Sequence, residues 1–153
     1  EVLLLFITDV HGLGLQAAQG LQFTTAFYWD MNEQTRAFAA RFAPQDRGIH
    51  PTMEHAGTYA AVLHYLKALE ALGEDGDGRK VVDKMKQLPT DDPLFGKGSI
   101  RADGRTLHDM YVMQVKTPAE SKYTWDYYKL RATIPAGQAF RPLGEGGCPL
   151  AKG

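Results

Sequence analysis

The spacing of apolar and polar positions changes along the chain. Residues 2–8, "VLLLFIT", are continuously apolar, which predicts a strand buried on both faces. Gly12 and Gly14 interrupt it, a short helical stretch over 14–19 follows, and the aromatic and β-branched run "LQFTTAFYW" at 21–29 predicts a second strand. Helix signals come next. Asp30 with Glu33 three residues on has capping-box spacing. Phe38 and Phe42 then share a face, and Pro44 stops that helix. Pro51 suits the first turn of a long helix, where Glu54 complements the dipole. Tyr59, Val62, Leu63, Leu66 and Leu69 form its apolar stripe, and Gly73 ends it. Asp77 can cap a third helix carrying Val81, Val82, Met85 and Leu88 on one face, closed by Pro89.

After residue 90 the period shortens. Asp103-Gly104 between extended runs in "SIRADGRTL" predicts a hairpin. "MYVMQV" at 110–115 reads as a buried strand. In "YYKLRATI", Tyr128, Leu130, Ala132 and Ile134 alternate with polar residues, which predicts a half-buried strand with those four on one face. The Gly/Pro-rich tail "PLGEGGCPLAKG" reads as irregular. The order is strand, strand, three helices, strands: an α/β class without regular βαβ alternation.

Composition narrows the partners. The 153 residues suit one ordinary domain, and 17 Lys+Arg against 18 Asp+Glu, with no charge block, argue against nucleic acid or an anionic membrane as the main partner. No apolar run approaches the length of a membrane span. The single cysteine, Cys148, cannot form an internal disulfide and is either a free thiol or a bridge to a cysteine elsewhere. The chain starts at Glu1, directly on an apolar run and without a basic-then-apolar leader; this reads as a fragment whose upstream part is missing.

The candidate chemistry centres on "TDVHG". Asp9-x-His11-Gly12 after an apolar strand resembles the first motif of metallophosphoesterases, in which a carboxylate and an imidazole at a strand end hold one of two metals. The further Gly-Asp and Gly-Asn-His motifs of that family are absent. A metal-dependent phosphoesterase built on Asp9 and His11 therefore stands as the alternative reading. His55 and His64, nine residues apart on one helix, cannot share a metal there, and read as one partly buried and one solvated histidine. "GEDGDG" resembles a calcium loop, but Arg79 and Lys80 stand where ligands belong. No nucleophile elbow, phosphate-cradling loop or dinucleotide glycine spacing occurs, so no cofactor is implied. Phe23, Phe27, Tyr28 and Trp29 read first as strand packing and second as a stacking surface.

Several segments, in order, resemble one family. "AAQGLQFTTAFYWD" is similar to the segment of type I periplasmic binding proteins where a helix ends at Gly and the next strand crosses between lobes. "PTMEHAGTYAAVLHYLKALEALG" is similar to their following long helix, "FGKGSIRADGR" to a hairpin, and "MYVMQVK" to a late strand. The resemblance covers residues 1–117 and points to the substrate-binding components of branched-chain amino acid type ABC importers. "WDYYKLRATIP" and "FRPLGEGGCPL" resemble a subgroup, some of which take aromatic carboxylates.

The resemblance implies an α/β, type I periplasmic-binding-protein-like fold, present in part as the second half of a two-lobed sandwich with inter-lobe crossovers. Residues 1–24 would end lobe 2, 25–113 would form the C-terminal half of lobe 1, and 114–153 would return to lobe 2. It implies a periplasmic, non-enzymatic protein that captures a small amino acid or an aromatic or aliphatic carboxylate in an inter-lobe cleft and delivers it to an ABC permease in the inner membrane. Thr8, Asp9 and His11 match a cleft-facing loop: Thr8 can hydrogen-bond, Asp9 can pair with an ammonium group, and His11 can donate to a carboxylate or stack. Met53 and Glu54 match a cleft-facing helix start. A receptor or regulatory domain on the same fold is the third class.

Overall fold

The computed structural model describes residues 4–73 and 77–149. Parts of three expectations, the strand start at 2–3, the "GEDGDG" loop at 74–76 and the tail end at 150–153, lie outside the described residues. In chain order the elements are α1 (Ile7–Leu13), α2 (Leu15–Ala18), β1 (Gln22–Thr25), α3 (Glu33–Phe42), a 3₁₀ turn (Ala43–Gln45), α4 (Met53–Leu72), α5 (Gly78–Gln87), β2 (Thr90–Asp92), β3 (Gly96–Ile100), β4 (Thr106–Leu107), β5 (Met110–Val115), β6 (Tyr128–Ile134), α6 (Ala136–Ala139) and a second 3₁₀ turn (Leu143–Glu145). The α/β class is as expected. The chain divides into two units, one made of residues up to 57 with 110–134, the other of 58–109 with those from 135 on.

The first unit is built on the antiparallel sheet β1-β5-β6. Phe23 and Thr25 of β1 and Met113 and Val115 of β5 are buried on one face. The described part of the apolar run at the start, residues 4–8, adds no strand to this sheet. Phe6 is extended, but Ile7–Leu13 is a helix that puts Ile7 and Val10, one turn apart, into the core. A short apolar run has no period of its own, and here the Asp9 carboxylate decides the outcome: it accepts the Phe6 N–H at 2.8 Å and so satisfies one of the helix's orphan donors.

Two caps also differ from expectation. α3 is capped by Asn32, whose side chain accepts the Thr35 N–H at 2.9 Å, while the Thr35 hydroxyl accepts the Asn32 N–H at 3.0 Å. Asp30 instead takes Arg36 at 3.0 Å and the Tyr123 hydroxyl. Pro51 lies before α4, and Thr52 is its cap: Thr52 Oγ1 accepts the Glu54 N–H and His55 Nδ1 accepts the Thr52 N–H. Along α4 the expected stripe is not the buried one. Val62 and Leu66 are 51% and 53% exposed, whereas Ala56, His64 and Ala68 are buried. The covered row follows the i, i+4 ridge of small residues, which hydrophobicity alone underweights.

β6 carries a bulge. Val112 pairs with Ala132 and Met113 with Leu130, leaving Arg131 unpaired. Tyr128 and Leu130 therefore share the Met113 face, while Ala132 and Ile134 turn to the other, against the strict alternation expected. In the second unit, β2-β3-β4 is a small antiparallel sheet whose β3–β4 hairpin closes at Asp103-Gly104 as expected, with Gly104 at φ 84° and its N–H on the Arg101 carbonyl. α5 starts at its expected cap, Asp77, and stops at Leu88, which is extended as a residue before proline must be. His64, the residue from α4 that is neither small nor apolar, bonds Nε2 to the Met85 carbonyl of α5 at 2.8 Å. Neither His55 nor His64 is solvated.

The difference in exposure makes a stability prediction. Met113 is 1% exposed and Leu130, its partner across the sheet, 53%. Met113→Ala is expected to cost roughly 2–5 kcal/mol, and Leu130→Ala less than about 1 kcal/mol. Urea denaturation of both variants reads the difference, and equal costs would refute the unequal burial of this pair.

Candidate functional site

The expected site residues fall on two elements of the first unit. Thr8, Asp9 and His11 stand on the helix α1, and Met53 and Glu54 open α4. A helix turns about 200° over two residues, so Asp9 and His11 point apart. The strand-end geometry that a metallophosphoesterase needs is absent, and that alternative is set aside. Among the described residues no group of three or more His, Cys, Asp or Glu could hold a metal.

His11 joins an aromatic cluster instead. Its ring lies 4.0 Å from that of Trp125 at an interplanar angle of 11°, and its Nδ1 is 2.8 Å from the Tyr127 hydroxyl. His50 also lies nearly parallel to Trp125, at 5.3 Å, and meets Trp29 edge-on at 4.2 Å. Trp125 sits at the third position of a turn closed by the Asp126 N–H on the Tyr123 carbonyl, at φ 72°. That position normally takes glycine, and a bulky residue there costs about 1–3 kcal/mol. Its carbonyl is clamped by Trp29 Nε1–H at 3.0 Å and the Tyr28 hydroxyl at 3.2 Å. The neighbouring Asp126, 2% exposed, is paired with Lys116 and accepts the Lys122 N–H at 3.0 Å. A strained backbone that so many side chains hold in place is a common mark of a functional site.

Beside the cluster, Met53 lines a small cavity with Phe6, Thr25, Tyr28, Thr52 and Tyr128, of about 10 Å³. That is the space of one water. Thr25 Oγ1 donates to the Phe27 carbonyl at 2.9 Å and lies 3.4 Å from the Met53 sulfur. Among the described residues the buried Tyr128 hydroxyl has no hydrogen-bond partner, and burial pushes its pKa and that of Tyr28 up, keeping both neutral. Thr8, Asp9, His11 and Glu54 do not line this cavity. The structure thus groups Met53 with the cavity and His11 with the tryptophan, while Asp9 spends one carboxylate oxygen on the α1 cap and Glu54 is exposed. The sequence reading missed Trp125, Tyr127, Tyr128 and His50; the aromatic density of "YTWDYY" was the available signal.

The sequence matches the periplasmic binding protein family over residues 2–122. The chain belongs to that family. Among solved structures, this periplasmic binding protein is 45% identical to one from Burkholderia mallei, over 96% of this chain and 38% of that one, with a TM-score of 0.90. It is 44% identical to a branched-chain amino acid ABC transporter periplasmic ligand-binding protein from Burkholderia xenovorans LB400, over 95% of this chain and 38% of that one, with a TM-score of 0.89. A solute-binding protein of an ABC transporter from Rhodopseudomonas palustris BisB5, solved with 3,4-dihydroxybenzoic acid, shares the fold at 22% identity and a TM-score of 0.65, over 78% of this chain and 32% of that one. No curated protein matches. The chain spans 38% of the length of the two Burkholderia proteins. The type I periplasmic-binding-protein fold, in part, is thereby established, as the segment resemblances implied.

His50 gives the site a pH dependence. Its Nδ1 is buried without a partner among the described residues, and desolvation lowers its pKa, only partly offset by the Gly48 backbone and Asp30. The fold favours the neutral ring, so this contribution to stability is full above the ordinary imidazole pKa of about 6.5 and is lost as pH falls through the lower folded value. The melting temperature is expected to fall on acidification below that pH, and His50→Phe to flatten the slope; calorimetry across pH 7.5 to 5 tests it, and parallel curves for the two proteins would exclude His50 as the source.

Proposed function

We propose that the protein carrying this chain is the substrate-binding component of an ABC importer. It captures a small amino acid or an aromatic or aliphatic carboxylate and delivers it to a permease in the inner membrane. The observation that carries the reading is family membership over residues 2–122. The family is one of transport components, which supports a non-enzymatic, periplasmic role. The lobe boundaries at 24/25 and 113/114 belong to the same proposal.

Thr8, Asp9, His11, Met53 and Glu54 are the proposed ligand residues. Asp9 keeps one carboxylate oxygen beyond the cap bond for an ammonium group, and His11 keeps Nε2 beyond its Tyr127 contact. Aromatic density around His11, from Trp125 and Tyr127, favours a flat or apolar ligand body.

A thermal-shift panel of branched-chain amino acids, aromatic carboxylates, and Mn²⁺ or Zn²⁺ with and without chelator tests the class. A cognate ligand at ~100 times its Kd adds about 2.7 kcal/mol. A shift with one organic class that ignores chelator is expected, and a shift with metal alone would sink the transport reading. Asp9→Asn retains an acceptor for the Phe6 N–H and removes the charge; it is expected to weaken an amino acid by about tenfold or more. His11→Phe retains the stack and removes the ring nitrogens. Unchanged affinity in both variants, by calorimetry, would remove α1 from the site and leave the family reading standing.

A further inference from the structure

The second unit carries an arginine-lined pocket that the transport reading does not use. The turn of the β3–β4 hairpin and residues 140–146 wall a pocket of about 100 Å³, bordered by Arg101, Arg105, Phe140, Arg141 and Gly146. It adjoins a wider depression of about 350 Å³ that shares Asp103 and Arg105 and adds Thr106 and His108.

The three guanidinium groups have different jobs. Arg101 forks onto Asp103, Nε to Oδ1 at 3.1 Å and Nη2 to Oδ2 at 2.6 Å, and its Nη1 donates to the Arg141 carbonyl at 2.8 Å. It neutralises the one carboxylate of the pocket and ties the later segment to the hairpin. Arg105 lies over the Phe140 ring, 5.3 Å from its centroid. Arg141 packs against Gly146, where an added Cβ would come within 3.2 Å of Nη2. Neither Arg105 nor Arg141 forms an ion pair among the described residues. His108 is held at the rim by Phe95 and Phe140. With Arg101 and Asp103 cancelling, the pocket presents two positive charges on the planar forks of Arg105 and Arg141.

We infer that this pocket binds a phosphate-class oxyanion, free or on a small monoester whose remainder would lie in the adjoining depression. One fork saturates a carboxylate, whereas a tetrahedral dianion offers oxygens to two forks and matches their charge. The site lies in the second unit, whereas the proposed ligand residues belong to the first.

Titration calorimetry of the full chain at constant ionic strength, with inorganic phosphate, phenyl phosphate, acetate and chloride, tests it. Phosphate is expected to bind at least about tenfold more tightly than acetate or chloride, and Arg105→Gln and Arg141→Gln each to weaken it by about tenfold or more. Arg141→Gln keeps the main-chain carbonyl that holds Arg101, and an unchanged melting temperature confirms that the hairpin contact survives. Lys97→Gln, an exposed cation of β3 outside the pocket, is expected to change nothing. Tighter binding of phenyl phosphate than of inorganic phosphate would assign the depression to an ester group, and equal binding would assign the pocket to the free anion. Indifference to the arginine substitutions, an equal loss with Lys97→Gln, or acetate binding as well as phosphate would overturn the inference.

Discussion

β5 is the constraint on which the first unit rests. It has a hydrogen-bonded neighbour on each edge, β1 and β6, and Met113 and Val115 on it are essentially inaccessible to water. The buried face continues through Phe23 and Tyr128 into Ile7 and Val10 of α1. Its register therefore fixes where α1 lies, and with α1 the position of Thr8, Asp9 and His11. Slipping β5 by one residue would take Met113 and Val115 off the core face and put Val112 and Gln114 in their place, so the alternatives are far apart in energy.

Trp125 is the second anchor and works differently. Hydrophobic burial alone would not hold a bulky residue at positive φ. The directional bonds from Trp29 and Tyr28 to its carbonyl do, and the ring that results is what His11 and His50 pack against. The strain and the aromatic cluster are one feature: relaxing the turn would move the ring on which the histidines depend.

Much of the fold was legible because its signals are local. Asp103-Gly104, the Asp77 cap and Leu88-Pro89 each depend on residues within a few positions of one another. The failures are of two kinds. Some are near-degenerate local choices: Asn32 or Asp30 as the cap, helix or strand for an apolar run of seven. Others are non-local. The bulge at Arg131 follows from its pairing with β5, and the buried alanine row of α4 from what packs on it. In the site, "TDVHG" was conspicuous, but the His11 contact with Tyr127 spans 116 residues and Trp125's backbone angle is invisible to composition. The family resemblance carried the fold further than periodicity did, because it rests on the order of several weak segments.

The first unit is assembled from two stretches of chain with residues 58–109 between them. β1 is complete at Thr25, yet its sheet partner begins only at Met110. At cellular rates of elongation, roughly ten seconds separate the synthesis of the two. Throughout that interval Phe23 lacks the β5 neighbour it pairs with, and that side of the face destined for the core is open. A nascent chain of this layout holds the Phe23 face without its β5 partner for that whole interval, a hydrophobic surface that a chaperone can cover.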